Sequence, residues 1–285
     1  MHGGKWTIGD VTVTRIAEME TSGGMRFLLP QATRDAIREI GWLQPHFADA
    51  DGRIKMSIHA LVIEAPGRRI VVDTCLGNDK TRANPHWTNL QTDFLKDLEG
   101  AGFAPQTIDT VLCTHLHVDH VGWNTMLVEG KWVPTFPNAR YLMAKPEYDH
   151  WASDDDPEQR QIMADSVEPV FEAGLVDLVE TSAVICDELC LVPTLGHTPG
   201  HVSIKIESQG EHGLITGDFV HHPCQMAHPD WAAQVDTDPM QSTQTRRDVF
   251  ADLAGTSTLV IGTHFASPSA GHLKADGDVW RLEVE

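Results

Sequence analysis

Short apolar runs of period two alternate along the chain with longer stretches whose apolar residues recur every three or four positions. "WTIGDVTVTRIAEM" (6–19) alternates as a hairpin does, with Gly9-Asp10 at its turn. "SIHALVIEAPGRRIVVDTCLG" (57–77) predicts a strand, a Pro66-Gly67 turn and a second strand. In "NLQTDFLKDLEGAGF" (89–103), Phe94, Leu95 and Leu98 have helical spacing, and Gly100 or Gly102 suits the position past the helix end. "TIDTVLCT" (107–114), with Ile108 and the run Val111-Leu112-Cys113, is expected to be a short strand of the kind covered on both faces.

The second half repeats the alternation. Strands are predicted at 139–144, 175–180, 188–194, 201–208, 213–218 and 257–264, and helical stretches at 156–174 and 238–255. In the last helix Asp238 is placed as N-cap, Pro239 at the first helical position and Gly255 beyond the end. Residues 22–56 break the rhythm with Gly and Pro. That excursion carries Phe27, Leu28, Leu29, Trp42 and Phe47, which would line a pocket or, left facing solvent, form a homodimer contact. Strands outnumber helices and precede them in both halves. The expected class is α+β, with two mixed sheets face to face and helices outside, a four-layer αβ/βα sandwich in one domain over 1–285.

Charge narrows the partners. The chain has 41 Asp and Glu against 21 Lys and Arg, a net charge of −20. That surplus repels phosphate backbones and anionic membranes, so neither a nucleic acid nor a membrane is expected as a partner. No run approaches the roughly 20 apolar residues of a membrane span. The N-terminus lacks the basic start and apolar core of a signal peptide, and the five cysteines are scattered, so the expected location is the cytoplasm. Cys186 and Cys190 form a CxxxC with no matching second pair and are read as core thiols.

The chemistry begins directly after the strand at 107–114. "CTHLHVDHVGWN" places His115, His117, Asp119 and His120 where a strand opens into a loop and side chains converge. Imidazole and carboxylate together suit Zn²⁺, Fe²⁺, Mn²⁺ or Co²⁺, and the lack of clustered thiolates suits a catalytic site. Three more strand ends present metal-capable side chains: His197 in "LGHTPGHVSI", Asp218 in "LITGDF" and His264 in "VIGTHF". Packing alone gives no reason for them.

With these motifs, residues 55–266 resemble the metallo-β-lactamase-fold hydrolases, whose signature is HxHxDH, a lone His, an Asp and a late His in that order. The resemblance implies a site for two divalent ions, zinc first among them. His115, His117 and His197 would hold one ion and Asp119, His120 and His264 the other, with Asp218 bridging. Such ions, roughly 3.5 to 4 Å apart, make a bridging water a hydroxide at neutral pH, which attacks the substrate. Asp119 would also carry a proton to the leaving group.

"GDFVHHPCQ" is similar to the organophosphorus hydrolase-like branch. Acyl-homoserine lactonases place a Tyr three residues after the bridging Asp, where this chain has His221, a candidate hydrogen-bond donor to substrate. The expected substrate is a small neutral or apolar ester, a lactone foremost. A phosphotriester or aryl ester is the alternative on the same site, ahead of a β-lactam, a thioester or iron-dependent persulfide oxidation. Asp73, His201 and His222 are expected to brace the ligands from behind, His222 by bonding a ligating carboxylate. Trp123, Phe27, Trp42 and His272 are the candidate pocket walls, with Trp123 balanced between lining the cleft and propping the loop.

Overall fold

Two seven-stranded sheets organise the chain, joined by a small two-stranded ribbon. The computed structural model describes residues 4–23 and 27–284. The first half runs β1 (Lys5–Ile8), β2 (Val11–Ser22), α1 (Arg34–Glu39), β3 (Lys55–Ala65), β4 (Arg68–Val72), α2 (Phe94–Gly100) and β5 (Thr110–Leu112). The hairpin β6 (Thr125–Val128) and β7 (Lys131–Pro134) follows, then β8 (Arg140–Ala144), α3 (Lys145–Ala152), α4 (Pro157–Ile162), α5 (Glu168–Glu172) and β9 (Val176–Val179). A π turn, Met163–Val167, joins α4 to α5. The second half holds β10 (Val184–Cys186), β11 (Leu189–Pro193), β12 (Val202–Ser208), β13 (Glu211–Ile215), α6 (Cys224–Ala227), α7 (Pro239–Leu253), β14 (Leu259–Ile261), β15 (Ala270–Asp276) and β16 (Val279–Glu283).

The first sheet has the order β1-β2-β3-β4-β5-β8-β9, and the second runs β10 to β16 in sequence. Pairing is antiparallel from β1 to β4 and parallel from β4 through β5 and β8 to β9. In the second sheet only β13 and β14 pair in parallel. The expected αβ/βα sandwich is the one observed. Its reason lies in the strands, whose alternate residues enter two different cores. Val62, Val71 and Val111 pack outward under α2, α4 and α5, while Leu61, Ile63, Val72 and Leu112 face inward. There they meet Leu191, Ile204, Ile206, Ile215 and Ile261 of the other sheet. A third core, with Leu214, Val260 and Phe250, lies under α7. Burial on both faces explains why these strands read as continuous apolar runs.

The excursion is covered by its own chain. Leu28, Leu29, Ile37, Leu43 and Phe47 are buried in the α7 core, and of the predicted apolar set only Phe27 stands exposed. Trp42 is half-buried against that same core and lines no cavity beside the histidines, which corrects its reading as a pocket wall. Asp238 caps α7 through the N–H groups of Met240 and Gln241, as its position predicted. Among the described residues no helix is long and apolar enough to cross a membrane.

Candidate metal centre

Four loops that leave strand ends on one edge of the sandwich build the centre. The segment after β5 carries His115, His117, Asp119 and His120, the β11–β12 turn carries His197, and the ends of β13 and β14 carry Asp218 and His264. All seven sequence-predicted ligands come together.

They form two groups. His197 Nε2 lies 3.2 Å from His115 Nε2 and 3.0 Å from His117 Nδ1, and the last two lie 3.1 Å apart. His120 Nε2 and His264 Nε2 lie 3.2 Å apart, with Asp119 oxygens 3.7 and 3.6 Å from them. Asp218 Oδ2 stands between the groups. It is 3.1 Å from His264 Nε2 and 3.3 Å from His120 Nε2, and 3.9 and 3.8 Å from the Nε2 atoms of His115 and His197.

The donor set fits divalent metal. Three imidazole nitrogens facing one another cannot satisfy one another's lone pairs, and their spacing approaches that of zinc ligands in a tetrahedron. Burial pushes His115 and His117 well below the ordinary histidine pKa and His197 down to about 4, so all three present neutral imidazole. In the other group burial opposes charge, but Asp218 overrides it and raises His120, and raises His264 to about 9. Burial alone would raise Asp218, yet His264, His120 and His221 hold it well below the usual carboxylate range. This half attracts positive charge, whether a proton or a cation.

Several of these side chains are held from behind. Asp73 accepts from the Thr114 N–H at 2.8 Å and Oγ1 at 2.9 Å, and its Oδ2 lies 2.8 Å from His120 Nδ1. It does so with φ +54°, a strained conformation held by those contacts. His201 Nε2 accepts the Asp218 backbone N–H at 2.7 Å. The left-handed Gly217 permits that approach, since a Cβ there would meet His201 Nε2 at 2.5 Å. Asp73 thus lies behind His120, and His201 behind Asp218.

Other braces carry no signal in the sequence. Asp236 Oδ1 lies 2.8 Å from His197 Nδ1, and its Oδ2 accepts the Ala233 N–H. The buried Glu147 accepts the N–H groups of Leu116 and Gly200, both at 3.0 Å, tying the HxHxDH loop to the Pro199-Gly200 turn. Glu18 accepts from Leu76, Gly77 and Trp123. An Asp in a loop, a Glu on a helix and a Glu in a strand are ordinary in sequence. Only contacts across the fold distinguish them.

Several expected roles change. Trp123 is buried away from the cavity, stacked on Phe94 at 5.8 Å with its Nε1–H donated to Glu18 at 2.6 Å, so it props the loop. His222 Nε2 donates to the Phe47 carbonyl at 2.9 Å and holds the excursion instead of a ligating carboxylate. His272 lies on β15, its Nδ1 3.1 Å from the Thr258 carbonyl, in a depression with Trp6 and Ile8 outside the metal cavity. Register on β15 turns His272 from the metal cavity, and the loop before α6 turns His222 toward Phe47, so sequence distance from a ligand does not decide where a side chain points. His221 does reach the centre. Its Nε2 is 3.2 Å from Asp218 Oδ2, and neither buried ring nitrogen has a hydrogen-bond partner.

A cavity of about 500 Å³ opens over the ligands. Its floor presents His117, Asp119, Asp218, His221 and His264, and its walls include Phe27, Leu28, Met56, Trp87, Trp151 and Ile162. Among the described residues no Lys or Arg lines it.

Comparison with known proteins agrees with this geometry. Probable metallo-hydrolase YflN of Bacillus subtilis (strain 168) is 27% identical over 132 residues, 42% of this chain and 47% of its own length. The match thus spans about half of that curated relative. AidC, a dizinc quorum-quenching lactonase solved with a product, superposes with a TM-score of 0.81 at 23% identity, covering 99% of this chain and 98% of its own. The hydrolase AbOPH of the beta lactamase superfamily gives 0.80 at 23% identity, covering 99% and 97%. At such identities these structures speak for the fold alone. The family model for the metallo-beta-lactamase superfamily matches residues 54–264. With that span and this fold, the chain belongs to the metallo-beta-lactamase superfamily of metallo-hydrolases.

Proposed function

We propose that this protein is a dinuclear metallo-hydrolase of small neutral esters, with lactones as its principal substrates. The observation that carries the reading is the pairing of a complete donor set with an apolar cavity that lacks a cationic side chain. His115, His117 and His197 would hold one ion, Asp119, His120 and His264 the second, with Asp218 shared between them. Two divalent ions bound there supply hydroxide at neutral pH and positive charge for a developing oxyanion. The walls of Phe27, Leu28, Met56 and Trp87 take up an apolar acyl or aryl group and exclude water. A carboxylate- or phosphate-bearing substrate would find no cationic side chain in the walls and would meet Asp154, Asp156 and Glu158 there, which disfavours thioesters of charged carriers and β-lactams.

Two residues have hydrogen-bonding work beyond ligation. Asp119 is half-buried at the cavity floor, placed to take a proton and hand it to a leaving alkoxide. His221, with free ring nitrogens, donates a hydrogen bond to the substrate carbonyl oxygen. The same cavity accepts a neutral phosphotriester, the second reading that the HHPxQ resemblance favours.

The test is a panel of lactones, aryl esters, a thioester, a β-lactam and a phosphotriester, run on metal-loaded and chelator-treated protein. Turnover of lactones above all others, lost on chelation and restored by Zn²⁺, is the expected result. One iron per chain with persulfide-dependent oxygen uptake would overturn it. His221→Phe should lower kcat on lactones by about a hundredfold, the scale of losing one oxyanion donor, while metal content persists.

A further inference from the structure

Behind the cavity, and outside its lining, lies a buried ion cluster that the hydrolytic chemistry does not use. Arg82 grips Asp165 with two parallel bonds, NH1 to Oδ2 at 2.7 Å and NH2 to Oδ1 at 2.8 Å. Lys80 Nζ donates to the Asp165 carbonyl at 3.0 Å and to Thr125 Oγ1 at 2.8 Å, and stands 3.8 Å from the centre of the Trp132 ring. The side chains of all three charged residues are at most 1% exposed. Two cations thus share one carboxylate, and Lys80 is neutralised further by a carbonyl, a hydroxyl and an aromatic face.

Such a cluster is a costly way to hold a core together, since apolar packing of the same volume does so at least as well. A bidentate Arg–carboxylate pair does fix distance and direction. What it fixes here is specific. Arg82 immediately precedes Ala83 and Asn84, which line the cavity along with Trp87. Asp165 sits in the π turn one turn beyond Ile162, and Glu158, Gln159 and Ile162 of α4 line the same cavity. The pair therefore ties these two lining segments to each other from outside the cavity. The Asp165 carbonyl is taken by Lys80 and Thr125, and its ordinary helical partner, Pro169, has no N–H to offer.

We propose that the Arg82–Asp165 bridge, seated by Lys80, sets the gap between the 83–87 segment and α4. Both are positioning residues that determine the length and bulk of the apolar substrate group the cavity accepts. The inference takes its substrate from the hydrolase reading, but the gap can be measured without catalysis.

Arg82→Gln is the variant of choice, because it leaves Lys80 and Asp165 as a balanced pair. Arg82→Lys keeps the charge and loses the fork, and is the milder variant should the first fold poorly. Metal-loaded enzymes are compared on p-nitrophenyl esters from acetate to decanoate, with thermal unfolding in parallel. At the preferred chain length Arg82→Gln should lose about tenfold in kcat/KM through KM, the order for a mis-sized apolar pocket, while kcat on acetate stays within about twofold. Arg82→Lys should fall between it and wild type. A uniform loss at every chain length, or an unchanged length profile in both variants, would overturn the proposal whatever happens to Tm.

The neutral fluorophore N-phenyl-1-naphthylamine, displaced by n-alkanols of increasing length, reads the same gap without turnover. A shifted alkanol length preference in the variants supports the inference, and an identical preference overturns it. A wild type that hydrolyses none of the esters counts against the proposed function and leaves this readout intact.

Discussion

His197 Nδ1 lies 2.8 Å from Asp236 Oδ1, and this contact mirrors the one between His120 and Asp73 across the centre. Each ligand group thus has one histidine whose outer nitrogen is held by a buried carboxylate. Such a carboxylate fixes the tautomer and raises the basicity of the nitrogen that faces the ion. Asp236 is itself placed by the Ala233 N–H and by Arg246, whose NH1 is 3.7 Å away.

The symmetry makes a paired prediction. Asp236→Asn should weaken metal at the His197 group, and Asp73→Asn at the His120 group, each by about 10–100-fold. Titration of apoprotein with Co²⁺, followed by its visible spectrum, separates the two steps. Both variants weakening the same step would refute independent bracing.

Among the described residues Asp218 is the one carboxylate within reach of both groups. Asp218→Ala should therefore reduce metal content and abolish hydrolysis together, as read by elemental analysis and turnover on one sample. Full activity in that variant would rule out a shared bridge.

Glu147 carries no reacting atom, yet three N–H donors depend on it, from Leu116, Gly200 and the Trp151 ring. Burial raises its pKa, against those bonds. Glu147→Ala leaves the donors unsatisfied, at about 1–3 kcal/mol each before any relaxation. A marked fall in the urea midpoint is expected, with weaker metal retention because the HxHxDH loop and the His197 turn lose their tie. An unchanged midpoint would mean that water replaces the carboxylate.

Asp165 supplies a pH signature. Burial would raise its pKa, but the Arg82 bonds and the charges of Lys80 and Arg82 hold it below 3.8. A folded-state value below the unfolded one stabilises the protein above 3.8, and that stability is lost as pH falls through the depressed value. Arg82→Gln should bring the value back up, so the acid limb of Tm against pH moves to higher pH. Superimposable acid limbs would show that Arg82 contributes nothing to it.

The sequence by itself pointed to the sandwich and to seven metal-capable side chains, for a local physical reason. A strand buried on both faces must be apolar, so polar residues at the ends of 110–112, 213–215 and 259–261 stand out as side chains with another task. Helix ends were legible likewise, because Asp238, Pro239 and Gly255 act on their own backbone. Only the tertiary structure decided which residues serve those ligands. Asp236 lies 39 positions from His197, and Trp123 meets Glu18 across 105, separations over which no local pattern speaks. Trp123 turned into the core and Phe27 remained at the cavity because packing against distant elements, not nearness in the chain, orients a side chain.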